Sequence, residues 1–122
     1  MYKIVLVTTR EQELEDFSRA LAAEPEGSLR ILSGSDELLE LVRADKPHLV
    51  ILDEQLANAL DLVVSILKVD AMVNTTMITS MDEKTWHDKS EGLGMMHPVS
   101  DPPGAGDAQK LLTALRSMPG LR

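Results

Sequence analysis

The sequence predicts an α/β protein, a three-layer, doubly wound sheet of five parallel strands with helices on both faces. Three observations lead there. Short unbroken apolar runs rich in β-branched residues, above all Ile4–Val7 and Leu49–Leu52, read as strands buried on both faces. Between them lie stretches whose apolar residues recur at helical spacing, such as Leu14, Phe17 and Leu21. Strand and helix alternate along the whole chain, which calls for right-handed crossovers and a parallel sheet covered on both sides.

The elements follow in order. Ile4–Val7 is the first strand. Thr8 and Thr9 end it, and Thr8 with Glu11 or Thr9 with Gln12 has capping-box spacing for the helix through Leu14, Phe17 and Leu21. Pro25-Glu26-Gly27 breaks that helix, and Leu29–Leu32, interrupted by Arg30, is a second, shorter strand. Ser35 caps a helix carrying Leu38, Leu41 and Val42, which Lys46-Pro47 stops. Leu49–Leu52, closed by Asp53, is the third strand, followed by a helix with Leu60, Val63, Val64 and Leu67 on one face. Met77-Ile78-Thr79 is the fourth strand. Asp82–Leu93 is a polar helix holding Trp86 and closed by Gly94, and Met95–Val99 is a weak fifth strand. Pro102-Pro103-Gly104 turns the chain into a last helix marked by Leu111, Leu112 and Leu115, which Pro119-Gly120 ends. The first, third and fourth strands are the most apolar and belong at the centre; the second is more polar, as an edge would be. That fits the order 2-1-3-4-5 of flavodoxin-like folds.

At 122 residues the chain is expected to form a single domain, 1–122, with a hydrophobic core of its own. Its net charge of −8 argues against direct binding to nucleic acid, which needs a basic stripe to neutralise phosphates, and against an anionic membrane surface. Cysteine is absent, so disulfides, thiol catalysis and cysteine metal sites are excluded. No segment approaches membrane-spanning length and the N-terminus lacks a signal-peptide pattern, so a cytoplasmic location is expected. His48, His87 and His97 show no ligand spacing. Neither a hydrolase triad, nor a phosphate-binding glycine loop, nor a dinucleotide fingerprint is present.

The chemistry therefore centres on Asp53. In open α/β sheets ligands gather beyond the carboxyl ends of the strands, at the switch point between the first and third in this order. Thr8, Thr9 and Asp53 should converge there, with Thr79 beside them. The bland readings are that Asp53 accepts backbone N–H bonds in a turn, that Thr8 and Thr9 cap a helix, and that Thr79 is a strand residue.

Element order and the position of Asp53 resemble, over essentially the whole chain, the receiver domain of bacterial two-component response regulators. The resemblance implies that Asp53 matches the aspartate that accepts phosphate from a histidine kinase, Thr79 the switch hydroxyl with Ser80 after it, and Pro102 the proline that follows a lysine. The sequence departs from the family pattern at the rest of the site. Thr8 and Thr9 stand where an acidic pair holds magnesium, Asp101 stands in place of the lysine, Pro98 in place of an aromatic residue, and Ala57 and Asp61 in place of a proline and a glycine. Magnesium would then be bound weakly at most, and no other cofactor is implied. A phosphoryl group would add roughly two negative charges. Beside it Asp101 would repel, at about 4 Å on the order of 4 kcal/mol per unit pair for an effective dielectric near 20. If Asp53 and Asp101 both enter the pocket they share a proton, recruit a cation, or are covered by Arg10.

The expectation is an atypical receiver, not an enzyme, with magnesium-dependent phosphorylation weak or lost. It would work by contact with a protein partner, a histidine kinase or an output protein, or as a homodimer. By resemblance that surface is the fourth helix, fifth strand and fifth helix. The rivals are a working Asp53 phosphoacceptor and a small-molecule module of flavodoxin-like fold, for which only Tyr2, Phe17 and Trp86 offer aromatic stacking.

Overall fold

The computed structural model describes residues 2–118. Five strands alternate with five helices: β1 (Tyr2–Val7), α1 (Glu15–Ala22), β2 (Gly27–Leu32), α2 (Ser35–Ala44), β3 (Leu49–Asp53), α3 (Ala59–Val69), β4 (Asn74–Thr79), α4 (Glu83–Ser90), β5 (Val99–Ser100) and α5 (Ala105–Arg116). All pairs are parallel and the sheet order is β2-β1-β3-β4-β5, as expected.

Burial explains the layering. Successive residues of a strand face opposite sides of the sheet. Ile4, Leu6, Leu49, Ile51 and Ile78 meet Phe17 and Leu21 of α1 and Leu111 and Leu115 of α5 on one side. Val5, Val7, Val50 and Leu52 meet Leu38 and Val42 of α2 and Val63 and Ile66 of α3 on the other. Every residue of β3 is buried, which is why its sequence is apolar without alternation. Trp86 of α4 packs with Met77 and Ala59 in a smaller cluster.

Several boundaries differ from the sequence expectation. Thr8 and Thr9 do not cap α1. The chain first makes a tight turn, with the amides of Glu13, Leu14 and Glu15 donating to the carbonyls of Arg10, Glu11 and Gln12, and α1 begins only at Glu15. Gly34, not Ser35, precedes α2. β2 extends over six residues because it pairs with all of β1, from Tyr2 with Gly27 to Val7 with Leu32. β4 begins at Asn74, since Thr75 and Thr76 are buried β-branched strand residues. On α3, Ala59, Val63 and Ile66 are buried while Val64 is exposed. α4 is shorter than expected: Asp82 caps it by accepting from the Thr85 amide at 2.7 Å, and it ends at Ser90, before Gly92 and Gly94, whose φ angles of 80° and 63° take the chain out of helix. β5 is reduced to Val99 and Ser100. The residues before it are held irregularly, by the Met96 amide on the Thr75 carbonyl and the Thr76 hydroxyl on the His97 carbonyl. Asp107 accepts from the Gly104 amide at 2.8 Å and starts α5. The Pro119-Gly120 stop lies outside the described residues.

Candidate functional site

The register of the sheet builds the site. Val7 pairs with Leu52, so the next residues, Thr8 and Asp53, lie side by side at the carboxyl ends of β1 and β3. Thr79 pairs with Ser100, which puts Asp101 just beyond the end of β5. Apolar strands thus carry polar residues to one edge of the sheet.

Asp53 is fully buried and saturated with hydrogen bonds. The Thr8 hydroxyl donates to Oδ2 at 2.7 Å. Arg10 reaches in from the β1–α1 loop and donates through Nε to Oδ2 at 2.7 Å and through Nη2 to Oδ1 at 3.0 Å. The Gln55 amide donates to Oδ1 at 3.1 Å. Asp53 is therefore a turn residue that accepts a backbone N–H bond, and it also anchors a side-chain cluster.

Arg10 is the hub. Its Nη2 also lies 3.1 Å from Asp101 Oδ1, and its Nη1 3.6 Å from Glu13 Oε2. Only 12 % of its side chain is exposed. Its own amide donates to the Thr8 hydroxyl oxygen at 3.1 Å, so Thr8 bridges the Arg10 backbone and the carboxylate that the Arg10 side chain holds. Of the three outcomes for Asp53 and Asp101, covering by Arg10 is the one found.

Charge follows geometry. Burial alone pushes the Asp53 carboxyl up, but the bonds from Arg10, Gln55 and Thr8 outweigh it and hold the group below the ordinary aspartate range. Arg10 is held more firmly protonated than a free arginine, first by its bond to Asp53 and then by that to Asp101, against the cost of its own burial.

The other expected site residues divide. Thr8 and Asp101 join the cluster. Thr9 is exposed and stands apart from it. Thr79 is buried beside the site, and its hydroxyl accepts from the Met81 amide at 3.0 Å. Ala57 and Asp61 are exposed. The residue that sequence reasoning underweighted is Arg10, treated there as one option of three. Its signal was a charge imbalance, because two inward carboxylates with no metal-binding pair and no lysine leave a negative charge that a nearby arginine can offset.

The donor set does not fit magnesium. Octahedral binding draws on carboxylates and water, whereas here both oxygens of Asp53 are bonded to a guanidinium and Asp101 is paired with the same group. Among the described residues no group of three acidic or histidine side chains comes together that could hold a metal.

Solved structures similar to this chain over most of its length include response-regulator receiver domains. The non-phosphorylated HemR receiver domain of Leptospira biflexa shares 19 % identity, with a TM-score of 0.81 over 100 % of this chain and 99 % of that one. A CheY-like response regulator receiver domain of Methanospirillum hungatei shares 18 %, with a TM-score of 0.79 over 95 % and 94 %. A two-component response regulator of Legionella pneumophila shares 17 %, with a TM-score of 0.78 over 97 % and 100 %. No protein-family model and no curated protein matches the chain. The chain has the response-regulator receiver fold, the flavodoxin-like arrangement expected from its sequence.

Proposed function

We propose that this chain is an atypical receiver, a signalling domain that acts by protein–protein contact and whose Asp53 is phosphorylated weakly or not at all in the presence of magnesium. One observation supports this above the others: Arg10 holds both carboxylate oxygens of Asp53. Phosphoryl transfer depends mostly on positioning and charge neutralisation. The attacking oxygen would have to leave the guanidinium, and the new group would bring roughly two negative charges. Arg10 supplies one positive charge, which it already shares with Asp101 and Glu13. A phosphorylated state is therefore poorly neutralised.

The partner is a protein, a histidine kinase or an output protein, or a second copy of the chain. The surface formed by α4, β5 and α5 suits such contact. α4 exposes Lys84, His87 and Asp88, and a groove between β5 and α5 is lined by His97, Lys110 and Ala114. Among the described residues no helix is long and apolar enough to cross a membrane.

Incubation with a small phosphoryl donor such as acetyl phosphate, with and without magnesium, followed by intact mass measurement, is the test. The expected result is little or no added phosphoryl mass under either condition. Ready, stoichiometric, magnesium-dependent labelling of Asp53 would overturn the proposal.

A further inference from the structure

We infer that Arg10 is the resident cation of this pocket: its guanidinium takes the part that a divalent metal and a lysine would share in a phosphoaccepting receiver, and it latches the β1–α1 loop to the ends of β3 and β5 in one metal-independent arrangement. The inference rests on the atypical-receiver reading only in treating the pocket as a modified phosphoacceptor site.

Each nitrogen of the guanidinium is committed. Nε and Nη2 form a fork on Asp53 at the end of β3, Nη2 also reaches Asp101 beyond β5, and Nη1 faces Glu13 in the turn that leads into α1. One side chain therefore ties together three parts of the chain that are far apart in sequence. A planar fork suits this in a way that a point-charge ammonium does not.

The latch is also aimed by its own backbone. The Arg10 amide binds the Thr8 hydroxyl oxygen, and that hydroxyl binds Asp53. Main chain and side chain of Arg10 thus converge on the same carboxylate. Being part of the chain, the guanidinium is present at a high effective concentration. A free divalent ion must displace it and break a two-bond contact that is largely shielded from water. The pocket arrangement is set at folding and does not follow the metal concentration.

The experiment compares the full chain with R10A, R10K and R10A/D101N, using manganese as a paramagnetic probe of backbone amide signals, together with amide hydrogen exchange. No phosphoryl donor is present, so the outcome is separate from the labelling test. In the unsubstituted protein, amides around Thr8, Asp53 and Asp101 should stay sharp at manganese concentrations that broaden them in R10A, the two thresholds differing by about tenfold or more. R10A/D101N should lose that gain, because one of the two freed carboxylates is gone. R10K, which keeps the charge but not the fork, should fall between and should exchange the Ser100 and Asp101 amides faster than the unsubstituted protein.

Equal manganese thresholds in the unsubstituted protein and R10A would overturn the latch. So would R10A exchange rates at the end of β5 that match those of the unsubstituted protein. If R10A does not fold, R10K decides: unchanged exchange together with an unchanged manganese threshold overturns the inference. Stoichiometric phosphoryl labelling of the unsubstituted chain would remove the functional proposal while leaving the latch to be judged on the manganese and exchange data.

Discussion

The Arg10 guanidinium meets the buried Asp53 carboxylate edge to edge, with Nε 2.7 Å from Oδ2 and Nη2 3.0 Å from Oδ1. Asp53 has no access to water, so this pairing is not a surface ion pair of negligible value. Removing one partner of a buried pair leaves an uncompensated charge, at a cost of about 3–5 kcal/mol. R10A should lose stability on that scale, read as a lower urea midpoint with an unchanged slope. Because the partners touch, the double variant R10A/D53A should be less destabilised than the sum of the singles, with a coupling of about 1–3 kcal/mol. Strict additivity would show that the contact contributes little.

Thr8 and Thr9 are neighbours with opposite roles. Thr8 donates to Asp53 and accepts from the Arg10 amide, and it is buried. Thr8→Val keeps the shape and β-branching but leaves the Arg10 amide without its acceptor and takes one of four donors from Asp53, and should cost about 1–3 kcal/mol. Thr9 is exposed and caps no helix, because α1 starts six residues later at Glu15. Thr9→Ala should change stability by no more than about 0.5 kcal/mol. If Thr9 did cap the helix, its loss would cost about 1 kcal/mol. Chemical denaturation of the two variants separates these outcomes.

These residues also show what could be read from the chain. The sheet order was legible because burial on two faces leaves an unmistakable apolar run: Leu49–Leu52 could only be a central strand, and Asp53 had to sit at its end. Short-range signals served less well. Thr8 with Glu11 has the spacing of a capping box, but the long-range bond from Thr8 to Asp53 wins, and the helix yields a turn to it. The Met95–Val99 run looked like a strand, yet only Val99 of it pairs with β4, since Thr76 takes the His97 carbonyl with its side chain. Arg10 was hardest to place. A long side chain in a loop has no periodicity, and its destination depends on two carboxylates 43 and 91 residues away in sequence.

Acid should weaken the fold through Asp53. Its folded value lies below the ordinary one of 3.8, so the folded state favours the carboxylate. The resulting stability is fully present above about pH 4, because both folded and unfolded chains are then ionised. As pH falls below 3.8 the unfolded chain takes up its proton first, and the stability is lost as pH drops through the folded value. Asp53→Asn removes this contribution. The difference in unfolding free energy between the unsubstituted protein and D53N should therefore shrink as the pH is lowered from 5 to 3 (roughly the span over which carboxylates titrate). A difference that stays constant over that range would show that Asp53 titrates normally.

A second pH response, at milder acidity, should come from His48 at the opposite end of the sheet. Its Nδ1 accepts a hydrogen bond from the Lys3 amide at 2.9 Å, which requires that nitrogen to be unprotonated. The ring is half-buried and sits edge-on to Tyr2, with centroids 5.9 Å apart. Burial first, then nearby positive charge, that of Lys3 and Lys46 included, hold its pKa below the ordinary 6.5. The folded state thus favours the neutral ring. Above about pH 6.5 both states are neutral and the contribution is complete. As the pH falls below that value the unfolded chain protonates first, and stability declines until the folded ring titrates as well. Protonation would place a hydrogen on Nδ1, facing the Lys3 amide, and add a positive charge where Lys3 and Lys46 already place theirs. His48→Asn keeps a side-chain oxygen able to accept from the Lys3 amide but cannot titrate. Its unfolding free energy should be flatter than that of the unsubstituted protein between about pH 5 and 7, with the two curves converging in slope above that range. Parallel curves from pH 5 upward would mean that another group carries the dependence.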